Sequence, residues 1–138
     1  MTSTELVLAP GVRRRLLAHA WEGAAGDPPR EVCGVLVGDD GRVTDLRRVP
    51  NVADDPHARY ELDPEATIDV VDAAEAAGES VIGFYHSHPE SAAAPSDTDR
   101  ERATWVGYVY AIVSPRDDEV RAWRWTGEAF ESLDVRVE

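Results

Sequence analysis

Between Ser80 and Glu138 the chain carries four strand-like stretches and only one short helical signal. SVIGFYHSH, VGYVYAIVSP and the two halves of EVRAWRWTGEAFESLDVRVE around Gly127 are rich in β-branched and aromatic residues and end at turn residues, which reads as strand. Crowding them into one half breaks any regular alternation of strand and helix, so a doubly wound parallel sheet is excluded. The first half adds a hairpin, EVCGVLVG and RVTDLRRV around the turn DDG. Helical spacing of Val12, Leu16, Leu17, Ala20 and Trp21 predicts a helix opened by Pro10-Gly11 and ended by Gly26-Asp27-Pro28-Pro29. PNVADDPHARYELDP reads as a loop with one short strand around Tyr60. EATIDVVDAAEAAG predicts a second helix, with Asp63 as cap, Pro64 as its first residue and Gly78 as its stop. A third, short helix begins in SDTDRERATW. The expected fold is α/β, a mixed central β-sheet flanked by helices, and 138 residues without linker or repeat predict one domain over 1–138.

Charge narrows the partners. Twenty-seven acidic residues against 14 basic ones, all of them arginine, give a net charge of −13. The acids are scattered through DDGRVTD, NVADDPH, DAAEAAGE and SPRDDE, so they read as solvated surface and turns, not as a tail. Such density suits solubility and, more sharply, high salt, where short-range screening makes it tolerable. Basic residues cluster only at 13–15, at 47–48 and at Arg121 with Arg124, which is no footprint for a nucleic-acid backbone, so no nucleic-acid partner is expected. No apolar run is long enough to span a bilayer, and no membrane partner is expected. The N-terminal basic residues follow a short apolar run, the reverse of a secretory signal, so an intracellular, cytoplasmic protein is the expectation. One cysteine, Cys33, excludes an intrachain disulfide framework and a cysteine-rich zinc site.

His86 and His88 stand at i and i+2 at the end of a predicted strand, and period two sends both imidazoles to one side. Two neutral imidazoles on one side can chelate one metal ion. The pair alone is also what an exposed loop, or two histidines bonded to main chain, would show. Asp99 is the candidate third ligand, because a carboxylate beside two imidazoles leaves zinc an open position for water. The stretch Ser96-Asp97-Thr98-Asp99 equally matches a helix-capping pattern with Ser96 as N-cap. The readings are compatible, and Asp97 is an alternative ligand. Glu31, at a strand start, is by itself an ordinary solvated charge. Cys33 shares its face by period two and reads as a small buried residue near the site. His19 and His57 read as structural or surface residues. Trp123 and Trp125 share one face, as sheet residues or as the lining of a peptide groove. There is no HExxH, the two further cysteines of zinc deaminases are missing, and no glycine run could cradle phosphate.

The pattern HSH, seven residues, Ser, two residues, Asp, with a proline after the second histidine, resembles the JAMM motif of the MPN+ metalloproteases. That family carries a glutamate on an early strand in the setting E-x-x-G-x-L-x-G, and the run from Glu31 to Gly38, EVCGVLVG, is similar to it. Pro50-Asn51, the stretch from Pro56 to Pro64, the helix after it and GFYHSHP extend the likeness over most of the chain. The resemblance implies a compact MPN/JAMM domain of cytidine-deaminase-like architecture. It implies one Zn2+ per chain held by His86, His88 and Asp99, with Glu31 carrying the proton of the attacking water and Ser96 stabilising the oxyanion.

The activity so implied is zinc-dependent isopeptidase cleavage between the C-terminal glycine of a ubiquitin-like modifier and a substrate lysine. The partners are then ubiquitin-like modifiers and their conjugates. With the acidic composition, the members it is most similar to are haloarchaeal enzymes that remove ubiquitin-like small archaeal modifiers. One alternative within the same chemistry is a peptidase that trims the C-terminus of a ubiquitin-like sulfur carrier. Another, of a different class, is a catalytically silent MPN scaffold. An exposed strand edge beside the metal would hold the modifier's extended C-terminus as an added strand.

Overall fold

The computed structural model describes residues 4–138. Its elements run β1 (Glu5–Leu8), α1 (Val12–Ala24), β2 (Cys33–Asp39), β3 (Arg42–Val49), α2 (Pro64–Ala76), β4 (Ser80–Ser87), α3 (Asp97–Arg102), β5 (Val109–Ser114), β6 (Glu119–Trp125) and β7 (Phe130–Val137). The mixed α/β reading therefore holds. The sheet is mixed in direction and closes on itself in the order β1-β3-β2-β4-β5-β6-β7. Closure depends on β1, which pairs in parallel with β7 through Glu5 to Leu8 and with β3 through Val7 and Leu8. Sequence patterning reads that short apolar run as no element at all. The expected free strand edge beside the site is also absent among the described strands, because β2, β4 and β5 are each paired on both sides.

Local chemistry explains most element ends. The β2–β3 hairpin turns through Asp40 (φ 48°) and Gly41 (φ 77°), two successive left-handed residues, the geometry that suits the twist of the flanking strands. Helix α2 stops at Gly78 (φ 76°), where Glu79 N–H donates to the Ala74 carbonyl and Gly78 N–H to that of Glu75. Those are the paired bonds of a Schellman ending. Asp63 stands at the N-cap of α2 as expected, but its side chain makes no capping bond; its carbonyl instead accepts from Thr67 N–H and hydroxyl. Close strand approach is visible at Gly83, where a Cβ would lie 1.9 Å from the Val109 carbonyl oxygen.

Two apolar layers lie on opposite faces of β2 and β4. Leu36 and Tyr85 join Leu16, Leu17 and Ala20 of α1, while Val35, Val37 and Phe84 join Ala66, Val70 and Ala74 of α2. Trp21 is exposed, against its expected place on the core side; the buried stripe of α1 runs Val12, Leu16, His19/Ala20 and Gly23, and Trp21 falls past its edge. Trp123 and Trp125 are buried, Trp123 against Ala93 and Ile112 and Trp125 against Phe130, so they are core and not groove. No described helix is long and apolar enough to cross a membrane.

One polar pair interrupts the α1 layer. His19 Nδ1 and the Tyr85 hydroxyl share a buried hydrogen bond of 2.8 Å. Burial, reinforced by Arg48 and Arg30 and opposed by Glu22, pushes the imidazole down to about 4. A histidine held neutral in the fold loses stability once the unfolded chain can bind a proton that the native state refuses. Its contribution is complete above about pH 6.5 and drains as pH falls toward 4. The loss over that window is about 3 kcal/mol, since each pH unit separating the two states' proton affinities is worth about 1.36 kcal/mol. Urea unfolding across that range should show the wild type losing about this much more stability than His19→Gln, whose amide keeps a bond to Tyr85 without titrating. Parallel curves would remove His19 as the cause.

Candidate active site

The site is a product of strand register. In the antiparallel β2–β4 pair, Cys33 stands opposite His86 and Gly34 opposite Tyr85. The pairing continues past β2, since Ser87 N–H donates to the Val32 carbonyl and Val32 N–H to the Ser87 hydroxyl. One step further sets Glu31 opposite His88. Alternation then puts Glu31, Cys33, His86 and His88 on one face, away from Tyr85 and α1. His88 lies just beyond β4 but its N–H still reaches the Val113 carbonyl of β5, 2.9 Å away.

Helix α3 brings Asp99 to that face. Ser96 caps the helix through its hydroxyl, which accepts from Asp99 N–H at 3.0 Å, and Asp99 Oδ2 accepts from Ser96 N–H at 2.9 Å. The capping reading is thus present, and the same carboxylate also faces the two imidazoles. Asp99 Oδ1 lies 3.1 Å from His86 Nε2, and Oδ2 lies 3.1 Å from His88 Nε2. Asp97 points to solvent toward Arg100.

Electrostatics divides the carboxylates. Burial alone would raise Asp99, but the two imidazoles and Ser96 N–H overcome it and hold the carboxyl well below its usual range. Glu31, also buried, is pushed up to about 8; Asp99 and Asp55 add to the effect of burial and His88 opposes it. Burial lowers His86. For His88 burial acts the same way, yet Asp99, the Ala92 carbonyl and Glu31 prevail and the net direction is upward. His88 Nδ1–H donates to that carbonyl at 2.9 Å, which turns Nε2 toward Asp99 Oδ2, 3.1 Å away. Burial pushes the Cys33 thiol up to about 12, so it is no nucleophile at neutral pH.

Two buried polar atoms here have no hydrogen-bond partner, Glu31 Oε1 and His86 Nε2. His86 Nε2 lies 3.1 Å from Asp99 Oδ1 without being aligned for a hydrogen bond. Ligand atoms of Glu31, His86 and His88 all lie within 4.8 Å of one another, a group that could hold a metal ion. A cation would satisfy His86 Nε2, and a water beside it Glu31 Oε1, two atoms whose burial is otherwise unfavourable, and the nitrogen–oxygen donor set suits a borderline metal. The residues fit the ion.

A cleft of about 280 Å³ opens on Glu31 and His88, with Ser96, Pro89, Ala58 and His57 around it. The structure therefore gathers Glu31, His86, His88, Ser96 and Asp99. It also brings in two residues to which sequence reasoning gives no place at the site. His57 stands at the rim, where its Nδ1–H donates to the Pro29 carbonyl at 2.6 Å. Tyr60 stacks on His86 with ring centroids 4.1 Å apart. Neither carries a local sequence signal, since both sit in a loop whose path only the fold reveals.

Residues 10–126 match a family described as prokaryotic homologs of the JAB domain. The chain is 58% identical over 140 residues to a desampylase of Haloferax volcanii, covering 100% of each chain. It is 36% identical over 136 residues to a CysO-cysteine peptidase of Mycobacterium tuberculosis, covering 96% of this chain and 90% of the other. Among solved structures it superimposes on a JAB1/MPN domain protein from Archaeoglobus fulgidus with TM-score 0.59 at 20% identity, over 94% of this chain and 95% of that one. The match over most of its length, and a full-length relative sharing more than half its residues, place this chain in the prokaryotic JAB family.

Proposed function

We propose that this protein is a zinc-dependent isopeptidase that removes ubiquitin-like modifiers from lysine side chains, acting in a high-salt cytoplasm. The observation that carries the reading is the gathering of Glu31, His86 and His88 within 4.8 Å of one another beside an open cleft, with Asp99 3.1 Å from both imidazoles and two buried atoms unpartnered. The desampylase likeness supports the substrate class. Scattered acidic charge supports the high-salt setting.

His86, His88 and Asp99 would hold the metal, because Asp99 is the carboxylate kept ionised and each of its oxygens faces one imidazole. When bound there, zinc would supply Lewis acidity to the scissile carbonyl and to water. Glu31, buried at the cleft with Oε1 free of any hydrogen bond, would take the proton of the attacking water and return it to the departing lysine amine. The Ser96 hydroxyl accepts from Asp99 N–H with one lone pair, which leaves its own hydrogen to donate to the developing oxyanion. One side chain thus caps the helix and faces the cleft.

Cleavage of an isopeptide-linked modifier conjugate beside a linear fusion, with metal analysis of the same sample, tests the reading. One zinc per chain and preferential release from the isopeptide are expected; full activity after complete metal removal would overturn it. Glu31→Gln should keep the zinc and the fold and lower kcat by about 10²–10⁴. Loss of zinc in that variant would make Glu31 a ligand.

Ser96 separates by magnitude. Ser96→Ala should cost about 0.5–2 kcal/mol of stability as a lost cap, and lower kcat by about 10²–10³ as a lost oxyanion donor. Ser96→Asp restores the cap but offers charge where a donor is needed, so it should melt like wild type and barely turn over. Near-wild-type cleavage by Ser96→Asp would leave the serine only its cap.

A further inference from the structure

The two histidines of the site are steadied by different means. His88 has a hydrogen bond from Nδ1–H to the Ala92 carbonyl, an ordinary way to fix an imidazole plane. On the ring face of His86 stands Tyr60, with centroids 4.1 Å apart and planes 17° from parallel. This contact crosses from the loop after β3 to the end of β4. The Tyr60 hydroxyl has no hydrogen bond among the described residues, so the ring face, not the phenol, makes the contact that matters.

The loop is held in place for that purpose by Asn51, which uses its whole amide. Nδ2 donates to the carbonyls of Glu31 (2.9 Å) and Arg59 (3.1 Å), and Oδ1 accepts from the N–H groups of Ala53 and Glu61, both at 3.0 Å. Glu31 N–H in turn donates to the Pro56 carbonyl at 2.7 Å. Residues on either side of Tyr60 are therefore clamped to an amide that also grips the main chain of Glu31. A small displacement of the loop would move the Tyr60 ring and the Glu31 backbone together.

We propose that Tyr60 is a positioning residue, whose ring lies flat on His86 and fixes the plane of that imidazole so that Nε2 points at the metal position. The proposal rests on the metal reading given above. An imidazole free to turn about its χ2 torsion would spend much of its time with Nε2 off the shared point, and chelation would weaken accordingly. The role requires an aromatic face and no hydroxyl.

The test uses cobalt(II) as spectroscopic substitute for zinc, with affinity measured by chelator competition far below each variant's melting temperature. Tyr60→Phe should match wild type in affinity and in its visible absorption bands. Tyr60→Leu should bind cobalt about 10- to 100-fold more weakly, the usual loss when a ligand's orienting partner is removed, with altered bands. In wild-type protein, NMR of the His86 ring protons should show the upfield shift of a stacked ring current, which needs no variant to fold. Unchanged cobalt affinity and bands in Tyr60→Leu, or equal losses in Tyr60→Phe, would overturn the role while leaving the metal reading standing. A wild-type protein that binds no cobalt would overturn the metal reading and this role with it.

Discussion

Everything at the site depends on the antiparallel register of β2 against β4. Cys33 opposite His86 makes Glu31 fall opposite His88, and it sends Leu36 and Tyr85 to the α1 layer while Val35 and Phe84 go to the α2 layer. A slip of one residue would exchange these faces, turning Glu31 toward α1 and burying the wrong set of side chains under each helix. The two hydrophobic layers and the polar site thus enforce the same alignment. The reciprocal bonds between Val32 and Ser87 carry it beyond the end of β2, toward Glu31 and His88.

Asp99 joins helix stability to site geometry. α3 has six residues, too few for a helix to be stable on its own. It is kept by the reciprocal bonds of Ser96 and Asp99, and the same carboxylate faces both imidazoles. A carboxylate that caps the helix and faces both imidazoles is aimed by the backbone it stabilises. The cost appears in the buried, unsatisfied atoms beside it, which hydrogen bonding within the protein does not relieve.

Much of this is legible in the sequence for definite reasons. Period two places His86 and His88 on one face, turn chemistry places Asp40-Gly41, and helix spacing with Gly78 bounds α2. Glu31 is legible only through the resemblance of EVCGVLVG, because its neighbour His88 is chosen by register between strands far apart in the chain. β1 escapes because four residues become a strand only through two parallel partners that local pattern does not reveal. Asn51 and Tyr60 fall in stretches that carry the resemblance, but their contacts escape for the same reason: a stack and a four-bond amide join segments that sequence leaves apart. Trp21 is misplaced because a helix stripe read from spacing has blurred edges, and His19 with its Tyr85 partner takes the inward position.

The closed sheet has a seam. β1 joins β3 by two residue pairs and β7 by four, so the ring is completed by one four-residue strand. Were that strand to lift, the edges of β3 and β7 would be bared together, and bared edges recruit strands from other molecules. The stretches that β1 covers carry charge on both sides, Arg42 on β3 and Asp134 with Arg136 on β7. Charge along both strands would oppose pairing with another molecule's strand were that seam to part.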